Sequence, residues 1–311
     1  MCYSAQIRAE YKIYVRHFGA TLTIDEYVKR FWEQVGDDWV KKMAKAFRAW
    51  FDEPADAEQA RIRDAIADWE RREVTRIEKD LFALKQRLAG AERTLATKTT
   101  KKALDDQRIA TNKIEQGLAK LADLKRSELK PRDARIYPST LAPVIVSEGG
   151  RRVVKFMRYQ CRPAGKPAFY DREYPGTYNA RRDNLEGFWK GQFGHSHGLM
   201  IVDTFYENVE GPDGKNQILQ FTPRTAEPML VACLWSHWTD PKGAEPDLLS
   251  FAAITDDPEP EVAAAGHDRT IINIKPEHVD AWLNPNPKDL KALYAIFDDK
   301  QHPYYEHRLA A

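Results

Sequence analysis

The sequence predicts a mixed α+β fold in which a largely antiparallel, curved sheet with flanking helices is interrupted by an inserted antiparallel helical hairpin. Two observations lead there. Between about Ala55 and Lys130 glycine and proline almost vanish, charges dominate, and Ile77, Leu81, Leu84, Leu88, Ala91 and Leu95 step by four and three, which is a heptad seam. After Pro131 the texture changes to short apolar runs separated by turn dipeptides, the pattern of a β-rich domain.

Residues 23–51 are expected to be helical. The capping box Thr23-Ile24-Asp25-Glu26 opens the segment, and Tyr27, Phe31, Val35, Val40, Met43, Phe47 and Trp50 recur at helical spacing toward a core. In the charged region the polar stretch Thr97 to Lys102 interrupts the seam. Ala110, Ile114, Leu118 and Leu121 then resume a similar stripe until Pro131 closes it, so the chain turns back on itself. Such an arm offers no concave site; it serves as a spacer, docks a protein partner or self-associates. Beyond it, Pro143 to Val146 and Val153 to Tyr159 read as a hairpin around Gly149-Gly150, and Leu199 to Val209 with Gln217 to Thr222 as a second around Asp213-Gly214. Pro228 to Trp238 and Leu248 to Thr255 read as further strands. Pro276 to Leu283 and Lys288 to Phe297 read as short helices, the latter with Pro287 near its first turn. The expected division is a discontinuous domain of residues 1–54 and 131–311, with residues 55–130 as the hairpin insertion.

Composition narrows the function. At 311 residues with 42% hydrophobic content, the chain can bury one sizeable core. Lys+Arg and Asp+Glu nearly cancel to a net charge of +1, so contact with nucleic acid would need a local basic patch. The three cysteines, at 2, 161 and 233, form neither a disulfide framework nor a zinc pattern. With no secretory leader pattern and no apolar run of about 18 residues, a cytoplasmic protein that does not span a membrane is expected.

Several residues could carry chemistry. If Met1 is removed, Cys2 presents an α-amine and a thiol on adjacent carbons, the pair of nucleophiles that closes an aldehyde into a thiazolidine. Glu207 lies in an alternating run whose neighbours Phe205 and Val209 share its face, which would set a carboxyl among apolar side chains and raise its pKa toward general-acid use. His267 sits in a loop between Gly266 and Asp268. Asn179, followed by Ala180, Arg181 and Arg182, supplies an amide to orient a substrate and guanidiniums suited to phosphates. Arg151, Arg152, Lys155, Arg158, Arg162 and Lys166, interleaved with Tyr159, Phe169 and Tyr170, fit either a groove for single-stranded nucleic acid or a solvated charged strand. His195-Ser196-His197 presents two metal-type ligands without a third at a recognisable spacing, so neither a metal nor another cofactor is expected.

Taken in order, Met1-Cys2, RIYPSTLAPVIV, TYNARRD, DTFYEN and GHDRT resemble the SOS response-associated peptidase (SRAP) family of abasic-site processing proteins. The resemblance covers roughly residues 1–54 and 131–311. It implies the family's α+β domain with a barrel-like sheet and a positively charged DNA groove. It also implies that the processed Cys2 forms a thiazolidine cross-link with the ring-opened sugar of an abasic site in single-stranded DNA, shielding the lesion, after autoproteolytic removal of Met1. Asn179 matches the residue that positions cysteine and sugar, Glu207 the acid/base residue, His267 the residue assisting sugar ring opening, and Arg181 a phosphate contact. The chain departs from the family where Tyr3-Ser4 replaces Gly-Arg, Asn208 replaces Trp, and Arg158 to Pro163 carries no tryptophan, so the resemblance does not fix how DNA is engaged. A cysteine-type autopeptidase or amidase using Cys2 and His267, and a non-catalytic DNA-binding scaffold, are the competing readings.

Overall fold

The computed structural model describes residues 3–22 and 38–310. The described chain divides into two compact units, Met1–Trp50 with Lys130–Ala311, and Phe51–Leu129. Its elements in order are β1 (Ser4–Ile7), α1 (Tyr11–Phe18), β2 (Thr21–Leu22), α2 (Asp38–Lys42), α3 (Lys45–Arg48), α4 (Ala57–Leu95) and α5 (Lys101–Lys125), then β3 (Arg135–Ile136), β4 (Leu141–Glu148) and β5 (Arg151–Tyr159). There follow α6 (Tyr170–Glu173), β6 (Asn179–Arg181), β7 (His197–Glu210), β8 (Asn216–Pro223), β9 (Met229–Trp238), β10 (Leu248–Asp256), α7 (Pro260–Ala264), β11 (Thr270–Ile271), α8 (Val279–Leu283), α9 (Leu290–Asp298) and β12 (Tyr305–Leu309).

In the larger unit the strands form one mostly antiparallel sheet. Its pairings close on themselves: β10 pairs β5, β5 pairs β4, β4 meets β7 at Ile145 and Leu199, β7 pairs β9, and β9 returns to β10. A closed ring of strands removes edges that would otherwise pair with another chain. The expected hairpins are present, β4 turning into β5 at Gly149 and Gly150, both with positive φ, and β7 into β8 through a turn with Gly214 at φ 72°. β7 is the spine. Its first half pairs β9, its second half pairs β8, and along its other edge it takes β1.

The core fills one side of this sheet with Ile145, Val154, Leu199, Ile201, Leu230, Leu234 and Ile254, closed by Trp189, Phe193, Trp282 and Phe297 from the loop and helices that follow the strands. Trp282 is wholly buried. Its indole N–H donates to the Gly198 carbonyl at 2.8 Å, and its own carbonyl accepts from His197 Nδ1 at 2.9 Å, while the two rings stack 3.8 Å apart. Burial drives the His197 pKa down to about 3, so this histidine is a neutral core residue.

The helix expected over 23–51 differs from the structure. Thr23 to Glu26, Tyr27, Phe31 and Val35 lie outside the described residues. From Asp38 onward the chain makes α2, α3 and a 3₁₀ turn at Ala49–Phe51. The break falls at Ala44, whose ψ of 146° is extended, next to Met43, which bridges Leu141 in parallel. Tertiary pairing overrides the helical pattern there.

In the smaller unit, α4 begins at Asp56, whose carboxylate accepts Gln59 N–H at 2.8 Å, and α5 begins at Thr100, whose hydroxyl accepts Ala103 N–H at 3.2 Å. Lys125 meets Glu78, Gly117 meets Leu81 and Arg87 meets Asp106, so the two helices run antiparallel. The seam on α5 differs from the expected stripe by one position. Leu118 is 48% exposed, and Gly117 faces α4 instead: a Cβ there would stand 2.8 Å from Leu81 Cδ2. The small residues Ala103, Ala110 and Gly117 receive the larger side chains of α4, which hydrophobic spacing alone does not reveal. Among the described residues no helix is long and apolar enough to cross a membrane.

Trp282→Ala removes a wholly buried ring and the indole donor of the Gly198 carbonyl, so it should cost about 3–5 kcal/mol of unfolding free energy. Urea denaturation measures this; a loss under about 1 kcal/mol would mean that α8 does not close the core.

Candidate active site around Glu207 and His267

Glu207 is on the second half of β7, between β8 and the N-terminal strand. β1 pairs β7 with Ser4 opposite Tyr206 and Ala5 opposite Phe205, and pairs β3 on its other edge. One step further along, the Tyr3 backbone N–H donates to the Glu207 carboxylate. Cys2, the residue before Tyr3, lies outside the described residues. The Glu207 carboxyl is fully buried, and burial pushes its pKa up to about 8, against the opposing pull of that amide.

His267 Nε2 stands 3.2 Å from Glu207 Oε2. The imidazole is held by the turn after α7, where His267 N–H donates to the Val262 carbonyl at 3.2 Å and Gly266 takes a φ of 92° that a side chain would strain. His267 Nδ1 lies 2.9 Å from the Arg269 carbonyl and 3.3 Å from the Arg269 amide. No single tautomer satisfies both, and the shorter contact assigns the proton to Nδ1. Nε2 then accepts from a protonated Glu207. Burial lowers the His267 pKa while it raises that of Glu207, so near neutral pH the contact is a neutral pair with its exchangeable proton on the carboxyl, and not an ion pair. The arrangement stores an acid beside a base, both side chains being largely removed from solvent.

Asn179 belongs to the same neighbourhood through β10. β6 lies along β10 in parallel, Asn179 opposite Ala253 and Arg181 opposite Thr255, while β11, which follows the His267 turn, pairs the end of β10 at Thr255 and Asp256. The Asn179 side chain is buried, and neither its amide nitrogen nor its oxygen has a hydrogen-bond partner among the described residues. Leaving such groups unmet costs about 1–3 kcal/mol each, so a polar ligand has a place there. Beside it runs a cleft of about 510 Å³ whose lining includes Arg181, Arg182, Thr255, Asp256, Arg269 and Tyr294. Arg181 is exposed and paired with Asp183 at 2.6 Å, and Arg182 pairs with Asp256 at 3.0 Å and with Asp298. Arg269, whose backbone holds His267, and Thr255, whose buried hydroxyl has no partner among the described residues, were not among the residues singled out by sequence. The HDR run was the signal for Arg269; Thr255 left none.

The expected groove residues on β5 are placed differently. Tyr159 is fully buried and stacks on Phe251 at 5.2 Å, so its ring is not available to a base. Lys155 is buried and paired with Glu148 at 2.5 Å. Arg158 and Arg162 both reach Asp171, at 2.7 and 3.1 Å, and although burial opposes it, their hydrogen bonds hold that carboxyl below its ordinary value. At these four positions the cations and the ring are engaged within the protein, while Arg151 and Phe169 of the same cluster are exposed. His195 is exposed while His197 is in the core, and among the described residues no group of three or more His, Cys, Asp or Glu could hold a metal ion.

The raised Glu207 pKa makes a stability prediction. The folded state holds this proton up to about pH 8, whereas the ordinary value is 4.5, so the stability linked to it is full below about 4.5 and is lost as pH rises through about 8. Glu207→Gln should therefore gain on the wild type by a few kcal/mol in going from about pH 5 to about pH 9. Parallel unfolding curves at both pH values would contradict a desolvated carboxyl.

The sequence model of one family, SOS response associated peptidase (SRAP), matches residues 96–308. No curated protein matches the chain. Among solved structures, the chain is similar to a protein from Bordetella bronchiseptica, 18% identical over 60% of this chain and 90% of that one with a TM-score of 0.47. It is also similar to a protein from Bacteroides thetaiotaomicron, 15% identical over 57% and 78% with a TM-score of 0.48. A phage-related protein from Bordetella bronchiseptica is 22% identical over 57% and 81%, with a TM-score of 0.43. Since the family match spans more than half of its length, the chain belongs to the SOS response associated peptidase family.

Proposed function

We propose that this protein captures abasic sites in single-stranded DNA as a covalent thiazolidine through Cys2, once Met1 has been removed. The observation that carries the reading is the Glu207–His267 pair, a carboxyl with a pKa near 8 in contact with a neutral imidazole at 3.2 Å, beside the amide of the residue that follows Cys2. An abasic sugar is in equilibrium with its open aldehyde. The α-amine adds to the C1′ carbonyl, the hydroxyl of the carbinolamine leaves as water with a proton from an acid, and the thiolate then adds to the imine carbon to close the ring. Glu207 is suited to protonate that departing hydroxyl at neutral pH. His267, whose Nε2 is an acceptor, is suited to take the proton of the C1′ hydroxyl and return it to the sugar ring oxygen as the C1′–O4′ bond breaks and the aldehyde opens. Asn179 has an unmet amide to orient sugar and cysteine, and Arg181 an exposed guanidinium for a flanking phosphate.

Removal of Met1 follows from the same requirement, because a blocked amine cannot form the imine. We assign that step to the chain itself, in keeping with the family's description as peptidases. The helical hairpin, on this reading, is an arm inserted into the catalytic unit that engages a partner protein or a second copy.

Incubation with abasic single-stranded DNA should give a denaturation-resistant adduct of protein plus oligonucleotide by mass, and Cys2→Ala should abolish it. Glu207→Gln and His267→Ala should each slow single-turnover cross-linking by about 10- to 10⁴-fold with DNA affinity little changed. The wild-type rate should fall as pH rises through about 8 and Glu207 loses its proton, and Glu207→Gln should lack that limb. An adduct undiminished in Cys2→Ala overturns the nucleophile; wild-type rates in both acid/base variants overturn the mechanism and favour a binding scaffold.

A further inference from the structure

Two tyrosines on the larger unit stand partly exposed beside the site. Tyr3 is 40% exposed and Tyr137 is 38% exposed, and their rings meet edge to face at 6.0 Å. Tyr3 also meets buried Tyr178, the neighbour of Asn179, at 6.5 Å. Arg135 lies 5.1 Å over the Tyr137 ring and 3.5 Å over that of Tyr206, with its guanidinium nitrogens donating to Ser4 Oγ at 2.9 and 3.1 Å.

The two rings are held from below. The Tyr3 amide bonds Glu207, and Tyr137 opens a tight turn in which its N–H donates to Thr140 Oγ1 at 3.0 Å while its carbonyl accepts from the Thr140 hydroxyl at 2.7 Å. An exposed, pre-positioned pair of rings with a cation alongside suits a flat aromatic ligand next to a phosphate backbone.

We propose that Tyr3 and Tyr137, flanked by Arg135, form the platform on which the nucleobase next to an abasic site stacks in single-stranded DNA. The inference rests on the proposed DNA substrate and adds the residues that grip its neighbouring base. Tyr3 follows Cys2 directly, so its Cα is about 3.8 Å from that of the residue that would hold the sugar. The 158–163 segment offers no ring for stacking, since it carries no tryptophan and Tyr159 there is buried. A second aromatic group is available, Tyr170 stacked on Tyr174 at 4.2 Å with Tyr174 55% exposed, but its further ring neighbour is Phe188 and not Tyr3.

The test uses single-stranded DNA with 2-aminopurine beside a tetrahydrofuran abasic analogue, which has no latent aldehyde and cannot cross-link, so base stacking is read apart from chemistry. Wild-type protein should quench 2-aminopurine on binding. Tyr3→Leu and Tyr137→Leu should each lose most of the quench and bind about 10-fold more weakly, Tyr3→Phe and Tyr137→Phe should restore both, and Tyr174→Leu should change neither. Thermal melts confirm that each variant is folded. Unchanged quench and affinity in both leucine variants overturn the platform, as does a quench lost only in Tyr174→Leu. Quenching by a wild-type protein that forms no adduct with true abasic DNA would instead overturn the covalent chemistry and leave the platform standing.

Discussion

The N-terminal strand is hydrogen-bonded along both edges, to β7 and to β3, and the candidate site depends on that double pairing. A four-residue strand near a chain end frays readily when it has only one neighbour. Here Ala5 and Ile7 are fully buried, Trp50 donates to the Ala9 carbonyl at 2.5 Å, and Arg8 pairs with Asp203 at 2.6 Å where the β1–β7 register shifts. The result is that the Tyr3 amide sits at a fixed point against Glu207. Without β1 the carboxyl would lose that partner and its cover from water, and its pKa would return toward the ordinary carboxylate range.

Desolvation then sets the division of protons. If attraction between charges dominated the Glu207–His267 pair, the carboxyl would be lowered and the imidazole raised; both move the other way because burial dominates each. A neutral acid and a neutral base can face each other in a dry site without either charge being buried alone. Such a pair also transfers a proton without requiring water to enter, which suits an imine intermediate that water would hydrolyse.

Much of this was legible in the sequence. The alternation Phe205, Glu207, Val209 implied a carboxyl among apolar side chains, and the structure buries Glu207 opposite Leu219 of β8, with Phe205 opposite Phe221. The Gly149-Gly150 and Asp213-Gly214 turns fixed two hairpins, since their backbone requirements are local. Closure of the ring was implied by the family resemblance alone, because it depends on β9 bridging β7 and β10, and no local pattern encodes which strand lies next to which. The shift of the hairpin seam from Leu118 to Gly117 was hidden for a different reason: apolar spacing finds large residues, whereas a close helix pair needs small ones. The basic cluster on β5 misled because charge pattern in one strand says nothing of the carboxylates that face it from elsewhere, Asp171 above all.

Those carboxylates also decide which cations a DNA backbone could recruit. Separating the partly buried Arg158 and the buried Arg162 from Asp171 would leave charges with little access to water and without their partner, which disfavours their recruitment by a phosphate. Arg181 is different. Its pair with Asp183 is exposed on both sides and is worth about 0–1 kcal/mol, so a phosphate can take the place of Asp183 with little loss. With a net charge of only +1, the proposed binding of DNA would rest on such exchangeable surface pairs and on stacking, not on a long-range positive field. Few phosphates are then neutralised, and affinity for single strands should depend on salt less steeply than in proteins that bind through a basic groove.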